Sequence, residues 1–91
     1  MTDEARQMEI KVPEERLAPL YTNHIQVGHT QEEFALELFA MLPPKGVLLG
    51  RFIVSPAHAK RLAAALTENV SKYEATFGTI PESAIPFNLG K

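Results

Sequence analysis

The chain has 91 residues, 45% of them hydrophobic and 22% charged, with a formal net charge of −2 and no cysteine. That length holds one domain at most, and the composition is that of a globular protein, not of a disordered chain. The missing cysteines exclude disulfides, thiolate metal sites and Cys nucleophiles, and the slight acidity argues against a generic nucleic-acid binder, which needs clustered cations.

The N-terminal "MTDEARQMEIK" is polar and acidic, with none of the apolar centre of a signal peptide. No apolar run approaches the roughly 18 residues that span a membrane. The expectation is a soluble cytoplasmic protein. "QMEIKV" (7–12) alternates Met8, Ile10 and Val12 with Gln7, Glu9 and Lys11, a period of two that suits a short strand ended by Pro13. "PEERLAPL" (13–20) carries two prolines and reads as a connector. Residues 1–19 are thus an N-terminal arm with a possible short strand.

A β-β-β-α core follows over 20–78. "LYTNHIQV" (20–27) predicts a strand with Tyr21, Asn23, Ile25 and Val27 on one face and Leu20, Thr22, His24 and Gln26 on the other. "GHTQE" (28–32) predicts a turn. "EFALELFAML" (33–42) mixes helix formers with strand-like alternation. Its shortness and the abrupt stop at Pro43-Pro44 favour strand. "PPKG" (43–46) is the next turn, and "VLLGRFIV" (47–54) has strong β-propensity. Ser55 and Pro56 then open a helix as N-cap and first helical residue. It should run to Phe77, with Gly78 as the stop. Its apolar stripe is Ala59, Leu62, Ala63, Leu66, Val70, Tyr73 and Phe77, and Glu68 with Lys72 forms an i,i+4 pair on the wet side. The tail, 79–91, has two prolines and four large apolar residues, and should be extended.

The predicted fold is α+β: a three- to four-stranded antiparallel meander packed by one long C-terminal helix. Strand 47–54 is apolar on both faces, with Val47, Leu49, Arg51 and Ile53 on one and Leu48, Gly50, Phe52 and Val54 on the other. One helix covers one face only. The face opposite the helix would then expose a large apolar patch, which monomers rarely carry. A homodimer is the simplest cover, and the tail folding back is the other.

The ordered pattern from Tyr21 to Ile80 resembles the prokaryotic domain of unknown function 3467 family. The shared features are Tyr21 and Asn23; Glu33 and Phe34; Arg51 to Ile53; Ser55, Pro56, His58, Ala59 and Lys60; and Asn69, Lys72, Tyr73, Glu74, Phe77 and Gly78. It departs at Glu37, where the family more often has Asp, and in a shorter "PPKG" turn. On these motifs the likeness covers 21–80 and leaves the N-terminal segment and the tail outside. It implies a small cytoplasmic prokaryotic protein and carries no activity.

Candidate chemistry is sparse. His58 lies in the first helical turn, where a general base or phosphate contact is conceivable, but no Asp, Ser or Cys partner follows from spacing, so no catalytic residue is assigned. His24 and His29 should point to opposite faces, and with His58 they show no metal-ligand spacing. Between Glu37 and Glu68 there is no acidic residue, while Lys45, Arg51, Lys60 and Arg61 all fall there. These four form a candidate basic patch. Lys60 and Arg61 sit near a helix N-terminus, against the macrodipole, and read first as a solvated face. Arg51, among apolar neighbours, needs a carboxylate such as Glu37 or Glu33. No enzyme, cofactor or metal is expected. The leading reading is a homodimeric interaction module that binds another, unidentified protein. The alternative is nucleic-acid or anion binding through Lys45, Arg51, Lys60 and Arg61.

Overall fold

The computed structural model describes residues 7–82. A short 3-10 turn (Glu14–Arg16) precedes three strands, β1 (His24–His29), β2 (Phe34–Leu42) and β3 (Lys45–Val54), and one helix, α1 (Pro56–Phe77). The strands form an antiparallel sheet in the order β1-β2-β3. The α+β expectation therefore holds with three strands. The possible fourth, at 7–12, takes no regular structure. Its alternating apolar residues lie exposed, and Pro13 and Pro19 keep the following segment from carrying it onto the sheet edge. The expected extended tail falls largely on 83–91, outside the described residues.

The strand ends have local causes. Regular pairing begins at His24, not at residue 20, because Asn23 does the pairing there with its side chain. Its Oδ1 accepts from the Met41 N–H (2.7 Å) and its Nδ2 donates to the Met41 carbonyl (3.0 Å). The Asn23 N–H also donates to Phe39 O at 3.1 Å. The β1–β2 turn is held by Thr30, whose hydroxyl oxygen accepts from the N–H groups of Glu32 and Glu33. β3 starts two residues earlier than predicted, at Lys45, because Pro43-Pro44, joined by a cis peptide, make the whole turn.

The register corrects the expected faces. A β-bulge falls between the pairs Leu38↔Gly50 and Phe39↔Leu48, leaving Leu49 as the extra residue of β3. Paired residues share a face, so the alternation of β3 changes side at Leu49. Val47 pairs with Ala40 and joins Phe52 and Val54 on one face, with Leu36 and Phe34 of β2 and Val27 of β1. Leu48 joins Arg51 and Ile53 on the other. We call the first the inner face, since α1 lies on that side. Its strand positions carry no Asp, Glu, Lys or Arg between Ile25 and Val54, apart from Lys45 at the turn. The outer face carries a polar row, Gln26, Glu37 and Arg51, across all three strands. The bulge thus sets Arg51 in a polar row on the outer face, where Leu48 and Ile53 of β3 and Phe39 and Met41 of β2 keep apolar positions beside it.

α1 spans the residues its sequence predicts. The Ser55 side chain accepts from the His58 N–H at 3.2 Å, Pro56 is the first helical residue, and Gly78 takes φ 98° while its N–H donates to Glu74 O. That left-handed φ is open to Gly at no steric cost. On the outward side Glu68 and Lys72 pair at 3.4 Å.

Candidate interaction surface

The four cations of the candidate basic patch are not gathered. Lys45 and Arg51 are six residues apart on β3, about 20 Å along a strand, and on opposite faces by their pairing with Leu42 and Glu37. Arg51 is committed to Glu37: its Nε donates to Oε2 at 2.7 Å. The pairing Glu37↔Arg51 sets the two side chains side by side on the outer face. Arg51 is 61% exposed against 27% for Glu37, so the pair is a surface ion pair, worth at most about 1 kcal/mol. That settles why a cation sits in this strand: it belongs to the polar row, and its apolar neighbours in sequence face the other way or flank that row.

On α1, Arg61 lies about 160° around the helix from the apolar stripe at the ~100° per residue of a 3.6-residue turn, and its Nη2 is 2.9 Å from His58 Nδ1. Lys60 sits at the flank of the stripe. His58 thus meets the Arg61 guanidinium one helical turn on, an i,i+3 contact within α1. His24 and His29 lie on opposite faces, as their spacing predicts, against the rings of Phe39 (5.7 Å between centroids) and Phe34 (5.1 Å). Among the described residues no group of three or more His, Cys, Asp or Glu is placed to hold a metal ion. No helix of the described residues is long and apolar enough to cross a membrane.

What the chain does present is uncovered apolar surface. Among the described residues none is buried. The outer face, opposite the helix, keeps Leu48 (43% exposed) and Ile53 (53% exposed) beside its polar row. The inner face, on the helix side, is itself left open. Ala59, Leu62, Ala63 and Leu66 stand over Val27, Phe34 and Leu36, and between them runs a cleft of about 250 Å³. A second apolar cleft of about 140 Å³ lies between Leu20, Thr22, Leu38, Leu49, Gly50 and Phe52, with no helix residue in its lining. Both fall below the ~300–1,000 Å³ usual for small-molecule sites, and both are almost wholly apolar. Leu20 and Thr22 reach this side, contrary to the predicted strand faces, because the chain before His24 is not strand. The Thr22 hydroxyl there comes within 2.7 Å of Phe39 O. Gly50 lowers the floor of the second cleft: a Cβ there would come within 3.2 Å of the Phe52 ring.

The helix stripe is equally open. Leu62 is 41% exposed beside the sheet, and Phe77 is 72% exposed at the far end, its ring 4.9 Å from that of Tyr73. Sequence reasoning identified the stripe and the apolar strands. It missed the Leu49 bulge, and with it that the helix side of the sheet is left open too. Gly50 beside an unbroken apolar run is the one signal that pointed there, since a strand glycine often marks a bulge.

No curated protein and no solved structure matches the chain. A family model does, over residues 1–82, and so takes in the N-terminal segment that the motif resemblance leaves aside. The sorted sheet, the capped helix and the Asn23 clamp are thus features of a chain that belongs to the family described as "Protein of unknown function (DUF3467)".

Proposed function

We propose that the protein is a homodimeric, non-enzymatic interaction module. One observation carries this reading: a sheet face and a helix stripe, both apolar, stand opposite each other without burying a single described residue. On these two surfaces Phe52, Leu66 and Phe77 are each more than half exposed, and such contiguous apolar area is what an obligate dimer interface removes from water. The outer face, with its Gln26–Glu37–Arg51 row, stays free in such a dimer, and it is the surface a further protein partner would meet. Light scattering on the purified full chain tests the dimer: a mass about twice that of the chain is expected at micromolar concentration. A monomer there removes the reading.

A second reading, nucleic-acid or anion binding through Lys45, Arg51, Lys60 and Arg61, has less support. Its specific observation is the pair Lys60 and Arg61 beside a helix first turn that holds no acidic residue. Retention on heparin that falls with added salt, and is lost in Lys60→Glu with Arg61→Glu, would favour it. Unchanged retention in that double variant ends it.

A further inference from the structure

Resting on the dimer proposed above, we propose that its two copies exchange helix ends: Val70, Tyr73 and Phe77 of each copy seat on the open half of the other's inner face, against Leu38, Leu49 and Phe52. Two unmet needs within one chain match each other. The stripe from Ala59 to Phe77 is about 27 Å long at 1.5 Å per residue, but the chain's own sheet lines a cleft with its first third, Ala59 to Leu66. Past Leu66 no helix residue lines that cleft, and Val70, Tyr73 and Phe77 are 44%, 50% and 72% exposed. The sheet, in turn, has an apolar cleft beyond the reach of its own helix. A two-fold axis satisfies both at once, because each copy offers what the other lacks.

The chemistry fits a second copy better than another occupant. The second cleft contains no charged group and the free end of the stripe is flanked only by the acidic Glu74, so an acidic peptide or a nucleic acid would find no counter-charge there. Arg61, Glu68 and Lys72 all lie on the opposite side of α1, where they remain in water. The chain's own helix end does not reach the cleft, because α1 continues to Phe77 with no Pro or Gly after Pro56 at which to bend back. Pairing of two copies through their β3 edges would extend the sheet and still leave the inner face bare.

The absence of cysteine makes the test direct. Two full-length chains, one carrying Phe77→Cys and the other Leu49→Cys, are mixed, oxidised and run without reductant, with light scattering on the same samples. The expected result is a dimer whose disulfide, located by mass spectrometry, joins position 77 of one chain to position 49 of the other. A dimer without that cross-link overturns the helix exchange while the dimer stands. A monomer overturns the dimer itself. In a third protein carrying both substitutions in each chain, a disulfide within one chain in place of the cross-link between chains also overturns the exchange. Since Leu49 substitution touches the sheet, Phe77→Glu gives an independent reading at an exposed helix end: the dimer dissociation constant should rise at least tenfold with helix content of the remaining dimer unchanged. Dimerisation at full strength in Phe77→Glu is incompatible with the proposal.

Discussion

Asn23 shows how much one side chain can settle. Its amide copies the donor and acceptor of a peptide unit and completes the β1–β2 ladder one residue before β1 begins, with both bonds going to Met41. Asn23→Ala removes both partners from the Met41 backbone and should lower stability by about 1–2 kcal/mol, the usual range for a hydrogen-bonding pair at a partly wet site. Asn23→Asp keeps the acceptor for the Met41 N–H but sets a carboxylate against the Met41 carbonyl, so it should be no better than Ala. Urea unfolding of the three chains checks this. Asn23→Ala within about 0.3 kcal/mol of the parent would show the clamp to be dispensable. The sequence marks Asn23 only as part of a family-like pattern, because the partner of a side chain that mimics backbone lies 18 positions away, in a register that no local signal encodes. Arg51 was easier to read. A cation inside an apolar strand needs an anion, and Glu37 was the neighbouring-strand candidate that the register then set beside it.

At the scale of elements, α1 is legible end to end because its signals are local. Ser55, Pro56 and Gly78 act on backbone groups within four residues, and the stripe between them repeats at the helical period. Ser55→Ala should therefore cost about 1 kcal/mol, with Ser55→Asp close to the parent, since both Ser and Asp offer an oxygen to the His58 N–H. Thermal melts followed by circular dichroism report it, and an Ala variant as stable as the parent means that the cap contributes nothing. The strands resist the same treatment. Alternation assigns faces correctly only while the period stays at two, and one extra residue at Leu49 reverses it for the rest of β3. Once the bulge is in place, Val47 and Leu49 lie with Phe52, and the outer face keeps Arg51 together with Leu48 and Ile53, so both faces still carry apolar groups but with other members than strict alternation assigns. The bulge also faces the second cleft, so the feature hardest to read from the sequence lies within the candidate surface.

For the whole molecule, the question is what holds a 91-residue chain together when none of its described residues is buried. Backbone pairing and capping contribute little net free energy, and burial of apolar area is the dominant favourable term in folding. A sheet and a helix that leave Phe52, Leu66 and Phe77 each more than half exposed lack that term as a single chain. If the second copy supplies it, folding and association are one equilibrium, and stability depends on protein concentration. The sign is fixed by mass action: more chain favours the folded dimer, and each tenfold rise adds about 1.4 kcal/mol to the free energy of unfolding per mole of dimer. Thermal melts at 1, 10 and 100 μM should therefore show a midpoint that climbs by a few degrees per decade. Helix and sheet signals should be lost together, because α1 has no separate core to keep it. A midpoint independent of concentration over that range would mean that the chain folds alone, and the open inner face would then need another explanation. A midpoint that climbs while Phe77→Glu melts like the parent would instead keep the dimer and move its contact away from the helix end, toward the β3 edge.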